Sequence, residues 1–235
     1  QNGEDGVILF LLKKLNLLKN GKNRWCCEFG AWDGIKGSNT FNLVKNYHFK
    51  AVFIESDKQK FLDLLVTQKK FSNIVAINKH VDFKRKSKNS LDNILKNTNI
   101  SKKFEVLSID IDSFDLAVWK SIKKYRPKIV IIEINSGIEP GIKQLHSISK
   151  QGNSFTSTVN FAKQIGYELV CHTGNCIFIE KKYINKLSFN KKYLDNPEIL
   201  FDYSWLYYKE NFIKKIAKKL LPNSFKNSLK KLSNL

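Results

Sequence analysis

Acidic side chains recur where apolar runs of this chain end. RWCCEF (24–29) carries Glu28, AVFIES (51–56) carries Glu55, FEVLSIDID (104–112) carries Asp110 and Asp112, and KIVIIEIN (128–135) carries Glu133 and Asn135. One acid at the end of a buried strand means little, but four such strands describe a site. Carboxylates accept hydrogen bonds from hydroxyls and amines and repel phosphates. The segment EFGAWDG (28–34) adds Gly30 and Gly34, which let a backbone pass close to a ligand. The loop therefore reads as one built for a nucleoside-like ligand without a pyrophosphate. It is not GxGxxG: the third glycine is missing, and Asp33 stands where a pyrophosphate would lie. That argues against a nicotinamide dinucleotide enzyme.

Periodicity supplies the elements that must position these groups. Residues 4–19 show helical spacing closed by Asn20 and Gly21. Ser38 is placed to cap a helix running to Tyr47, Asp57 opens a helix over 57–70, and Ser90 caps a short one over 90–98. Further helices are expected at 115–124 and 156–166, and strands at 24–29, 51–56, 73–78, 104–112 and 128–135. The third strand, ending at Asn78, has no terminal acid. Residues 167–182 read as a strand–turn–strand hairpin. Most strands are unbroken apolar runs alternating with helices, the pattern of a parallel sheet covered on both faces. The hairpin would add one antiparallel edge. Ligands of such sheets bind beyond the carboxyl ends of the strands, where the acids stand.

Composition bounds the rest. The chain has 235 residues, 42% of them hydrophobic and 12% aromatic, enough for one good-sized core. No apolar run reaches the roughly 18 residues that cross a bilayer. QNGEDG at the start lacks the basic segment of a secretory leader, and no Met occurs anywhere, so the numbering is expected to begin inside a longer chain. Cys26 and Cys27 are adjacent, Cys171 and Cys176 flank the hairpin turn, and no CxxC pair exists. The four read as buried reduced thiols in a cytoplasmic protein. The net charge of +20, from 41 basic and 21 acidic residues, suits a polyanionic partner or the Lys/Asn/Ile bias of an AT-rich genome.

Taken in order, QNGEDG, EFGAWDG, FIES, SIDIDSFD and IEIN resemble a class I S-adenosylmethionine-dependent methyltransferase, most of all the FkbM-like group of sugar and natural-product enzymes. The resemblance covers about residues 1–182 and implies a Rossmann-like α/β fold with a mostly parallel sheet and an antiparallel edge hairpin. It implies S-adenosylmethionine held by Glu28, Gly30, Ala31, Asp33, Gly34, Glu55, Ser56 and Asp110. Glu55 would take the ribose hydroxyls, and Glu28 and Asp33 would face the amino group or fixed water. QNGEDG would lie over the pocket, or serve only as a helix start with Glu4 and Asp5 on its dipole. The activity implied is O-methylation of a carbohydrate or carbohydrate-like metabolite. A nucleic-acid methyltransferase, favoured by the charge and by the basic loop FKRKSKN (83–89), is the alternative within the fold, though DIDSFD stands where a base-methylating motif belongs. A non-catalytic binding protein is the alternative outside it.

Beyond the cofactor, the catalytic candidates are Asp110, Asp112, His146 and His172. Two readings of the acids stay open. One carboxylate acts as general base, or Asp110, Asp112, Glu133 and Asn135 hold Mg²⁺, a hard ion suited to oxygen ligands. A third possibility is that Asp110 holds the cofactor and the others order loops. The polar stretch 136–155, with His146, reads as a substrate-covering loop. From residue 181 on, 13 Lys face four acids. NFIKKIAKKLL puts Phe212, Ile213, Ile216, Ala217, Leu220 and Leu221 on one helical face. Residues 183–235 are thus expected to form a basic amphipathic extension that lies on an anionic membrane face, packs on the domain or pairs with a second subunit in a homodimer, with the aromatic run at 201–208 docking it. The expected location is cytoplasmic, at the inner membrane face if the tail binds lipid.

Overall fold

The computed structural model describes residues 2–18 and 23–207. The Asn20–Gly21 helix stop and the amphipathic segment 211–221 lie outside them. The elements run α1 (Glu4–Lys14), β1 (Trp25–Phe29), α2 (Phe41–Tyr47), β2 (Lys50–Glu55), α3 (Lys58–Lys70), β3 (Ile74–Asn78), α4 (Leu91–Leu95), β4 (Val106–Ile109), α5 (Asp115–Ser121), β5 (Ile129–Glu133), α6 (Phe155–Gln164), β6 (Tyr167–His172), β7 (Asn175–Glu180) and α7 (Lys191–Asp195). Single 3-10 segments, Lys181–Leu187 and Pro197–Leu200, flank α7. The seven strands form one sheet in the order β3-β2-β1-β4-β5-β7-β6. β1 to β5 are parallel, and β7 is antiparallel to both its neighbours. This is a Rossmann-like, mostly parallel sheet with the expected antiparallel edge hairpin.

Unbroken apolar runs serve both faces because successive side chains alternate across the sheet. Cys27, Phe29, Val52, Ile54, Leu107 and Ile132 join the core under α4, α5 and α6, with Leu95, Trp119 and Phe155. Cys26, Ala51, Phe53, Val106 and Ile131 join the opposite core under α1, α2 and α3, with Leu12, Leu43 and Leu64. Each large side chain so buried stabilises the fold by about 1.5–3 kcal/mol. Ile184 and Leu187 are buried in the second core and Phe201 in the first, so residues just past the hairpin pack on the same sheet. Cys26, Cys27 and Cys176 are buried free thiols, and burial pushes their pKa up, which leaves them inert. No described helix is long and apolar enough to cross a membrane.

The boundaries that differ from expectation have local causes. α1 stops at Lys14, and Asn16 takes a left-handed turn (φ 56°). α2 starts at Phe41 rather than at Ser38, although the Ser38 hydroxyl still accepts the Phe41 N–H at 3.0 Å. β4 ends at Ile109, not at 112, because Asp110–Asp112 peel away from the sheet and Asp112 turns left-handed (φ 58°). α5 ends at Ser121, where the Asp92 carboxylate collects the Lys123 and Lys124 N–H groups.

Candidate active site

The strand-end acids converge on two adjoining cavities that share Asp110 and Asp112. The smaller, about 330 Å³, lies over β1 and β2 and is lined by Glu28, Gly30, Ala31, Trp32, Glu55 and Ser56, with Lys36 and Lys60 at its rim. Gly30 sets its floor. Its φ is +77°, and a Cβ there would lie 1.7 Å from the Asp110 carbonyl oxygen. Only glycine lets the β1 loop press against the β4 loop so closely.

Glu55 is buried but aimed. Its Oε2 accepts the Trp32 N–H and its Oε1 the Asp57 N–H, each at 2.8 Å. Each oxygen accepts one backbone N–H and so keeps further acceptor capacity in a residue that lines the cavity. Asn78, the end of the strand without an acid, donates its amide to the Glu55 carbonyl at 2.8 Å and so steadies the neighbouring strand end.

Glu28 lines the same cavity and is largely engaged by its own loop. Ser38 Oγ and Thr40 Oγ1 donate to its Oε2 at 2.7 and 2.6 Å, and the Asn39 N–H donates to its Oε1 at 3.0 Å. Burial raises its pKa, and these hydrogen bonds oppose the rise. Its position is therefore that of a loop anchor. Asp33 and Gly34 fall outside both linings. Asp33 Oδ1 accepts the Ile35 and Lys36 N–H groups of a turn. Gly34 is a packing glycine: a Cβ would meet Leu64 at 2.7 Å and Phe53 at 2.9 Å.

The larger cavity, about 420 Å³, lies beyond β4 and β5. Asp110, Asp112 and Glu133 each offer an oxygen there, and all three oxygens lie within 4.8 Å of one another. The Asp112 N–H donates to Glu133 Oε2 at 3.2 Å. Burial, then the charges of Asp115 and Asp112, push Asp110 up to about 7. Burial, then Asp110 and Asp115, push Glu133 up to about 8. Asp115 rises to about 6 through burial, held back by the Ile111 and Ser113 N–H groups it accepts at 2.9 and 3.0 Å. Crowded acids of this kind share protons near neutral pH or gather a cation.

Asn135 lines the cavity too, but its amide orders the following loop. Its Nδ2 donates to the Gln151 carbonyl at 2.9 Å, and its Oδ1 accepts the Gly137 N–H at 3.2 Å. That loop does reach the site, through Ser136, Gly137, Gln151 and Gly152. Neither of the histidines expected as possible bases lines either cavity. His146 accepts the Gly152 N–H at Nδ1 (3.0 Å) and packs edge-on against Phe114. His172 is buried with both ring nitrogens engaged, and burial pulls its pKa down to about 4. Asn2, Asn175 and Trp205 also line this cavity, and none of the three was singled out as a site residue from the sequence. They come from distant parts of the chain, and the signals were the QNGEDG segment that holds Asn2 and the tryptophan in the aromatic run after the hairpin.

No protein-family model and no curated protein matches the chain. Among solved structures it is similar to TrmK of M. capricolum in complex with S-adenosyl-homocysteine, at 16% identity over 92% of this chain and 89% of that one, with a TM-score of 0.48. It is similar to the N-terminal domain of EvdMO1 in the presence of S-adenosyl-homocysteine and D-fucose, at 9% identity over 77% and 83%, with a TM-score of 0.46. It is also similar to a SAM-dependent methyltransferase of Aquifex aeolicus, at 10% identity over 72% and 87%, with a TM-score of 0.43. At these identities and scores the likeness carries no argument about activity, and the fold assignment rests on the strand order and direction of the sheet.

Proposed function

We propose that the chain is an S-adenosylmethionine-dependent O-methyltransferase of the FkbM-like kind, acting on a hydroxyl of a carbohydrate or carbohydrate-like metabolite. The observation that carries the reading is the pair of cavities joined at Asp110 and Asp112. A cofactor and an acceptor held in adjoining spaces need only proximity, orientation and a route for one proton. The first cavity suits the cofactor: Glu55 is oriented for ribose hydroxyls, Gly30 allows close backbone approach, and Ala31 and Ser56 complete the wall. The bound cofactor supplies an electrophilic methyl group.

The second cavity suits a polyol. Its wall is built of carboxylates, the amides of Asn2, Gln151 and Asn175, and the Trp205 indole. These groups hydrogen-bond hydroxyls, and the acids would repel a phosphate backbone, which disfavours nucleic acid despite the +20 charge. Asp110, which faces both cavities and is held near neutral pKa, receives the acceptor proton. The clustering of three carboxylate oxygens within 4.8 Å favours a second reading, in which Asp110, Asp112 and Glu133 hold Mg²⁺. Such an ion would lower the acceptor hydroxyl's pKa. Calorimetry with S-adenosyl-homocysteine, then methyl transfer to a panel of free and nucleotide-linked sugars with and without chelator, tests both. Absence of cofactor-product binding would end the methyltransferase reading, and full activity in a metal-free preparation would end the Mg²⁺ reading.

A further inference from the structure

We propose that His172 is a positioning residue for the acceptor wall, and that the wall it positions, Trp205, takes the apolar face of a sugar ring. The inference rests on the assignment of the second cavity to a carbohydrate acceptor.

His172 ends β6, is buried and touches neither cavity. Its Nδ1 accepts the Asp202 N–H at 3.0 Å. The neutral ring therefore carries its proton on Nε2, which faces Ser136 Oγ at 2.9 Å. The Ser136 hydroxyl in turn donates to the Gly174 carbonyl at 2.7 Å. One imidazole thus ties three segments distant in sequence: the loop after β5, the β6–β7 turn and the stretch after the second 3-10 segment. The ring also stacks on Phe201 (4.5 Å between centroids, 14° between planes), with Phe155 edge-on at 5.8 Å.

Fixing residues 201 and 202 fixes where Trp205 falls. The Trp205 N–H donates to the Asp202 carbonyl at 3.3 Å, and Asp202 Oδ1 accepts the Ser204 N–H at 3.0 Å, so 202–205 form one turn. Trp205 lies directly on Gly174. A Cβ at that glycine would sit 2.5 Å from the indole. Ser136, Gly174 and Trp205 all line the second cavity, so the three segments that His172 joins are those that shape its outer wall. None of the strand-end residues of the cofactor cavity belongs to this network.

The chemistry of the wall names the ligand. An indole beside amides and carboxylates matches a pyranose, which offers a C–H face to an aromatic ring and hydroxyls at its rim. A neutral sugar also avoids the repulsion that a phosphorylated ligand would meet from Asp110, Asp112, Asp115 and Glu133.

The test uses the full chain saturated with S-adenosyl-homocysteine and two probes, methyl α-D-glucopyranoside and methyl α-D-mannopyranoside, followed by saturation-transfer NMR. The wild type should transfer magnetisation to the ring protons of at least one sugar. Trp205→Ala should lose the signal at least fivefold, and Trp205→Phe should keep most of it. His172→Ala should weaken sugar binding at least fivefold while changing the calorimetric affinity for S-adenosyl-homocysteine less than twofold, a split that general loosening would not produce. If His172→Ala fails to fold, Ser136→Ala cuts the same link at its other end and is read by the same split. Unaltered sugar binding in Trp205→Ala, equal loss of both ligands in the linking variants, or no sugar binding by the wild type overturns the proposal. Failure of the methyltransferase reading shows separately, as a wild type that does not bind the cofactor product.

Discussion

Replacing Glu133 by Gln should make the protein more stable and less active. The structure places this carboxyl beside Asp110 and Asp112 in a half-buried pocket, where its pKa rises to about 8 from an ordinary 4.5. In the unfolded chain the group ionises near its ordinary value, so folding at higher pH must either desolvate a charge or take up a proton. The penalty is absent below the ordinary carboxylate pKa, grows as pH rises and is complete near pH 8. At pH 7 about 2.5 pH units of that rise lie above the ordinary value of 4.5, which corresponds to at most about 3.4 kcal/mol. Asp110 shares the same protons, so the net gain for the glutamine variant is smaller, about 1–3 kcal/mol. Glutamine keeps the acceptor for the Asp112 N–H, so no buried donor is orphaned. For a domain of this size the gain corresponds to a melting temperature higher by roughly 3–10 °C. Differential scanning fluorimetry at about pH 8 and about pH 4.5 reads it: a clear difference at the first and none at the second. Methyl transfer should fall on the order of a hundredfold, the usual contribution of a lost acid–base or ion-binding group. If the proposed Mg²⁺ site exists, millimolar Mg²⁺ should raise the wild-type melting temperature more than that of the variant. A variant that melts at or below the wild type at pH 8, or a difference that persists at pH 4.5, would refute the reasoning.

Glu55→Ala should weaken S-adenosyl-homocysteine binding by roughly 1–3 kcal/mol, the cost of unpaired ribose hydroxyls, and unchanged calorimetric affinity would remove Glu55 from the site. Gly30→Ala should destabilise by about 3 kcal/mol or more, because its Cβ would drive the Asp110 carbonyl out of place and its φ is +77°, and an unshifted urea midpoint would contradict the close approach. His172 is held neutral, with its pKa near 4 against an ordinary 6.5, so protonation is costlier in the folded state. Stability should therefore fall as pH drops from about 6.5 through about 4, by up to about 3 kcal/mol in all, and urea titrations of His172→Asn across that range should lack this component.

The alternation of apolar runs with helical spacing was enough to define the sheet, its parallel direction and the edge hairpin, because burial on both faces leaves an unbroken hydrophobic signature in each strand. The capping residue Asp57 marked α3, because it meets the N–H groups that follow it, whereas Ser90 starts α4 without a side-chain cap bond. The acids at the strand ends were legible as a set, since a parallel sheet gathers those ends on one side. Their division of labour was not. Whether a carboxylate faces a ligand or its own backbone depends on which donors the fold brings to it. Glu55 accepts one backbone N–H at each oxygen, whereas Glu28 accepts three donors, two of them hydroxyls on one oxygen, from Ser38, Asn39 and Thr40. Histidine is subject to the same ambiguity, and only the tertiary structure shows that His172 is buried, stacked on Phe201 and hydrogen-bonded to Ser136. Asn2, Asn175 and Trp205 meet in one wall across most of the chain's length, a juxtaposition that tertiary structure alone decides because no local periodicity encodes it.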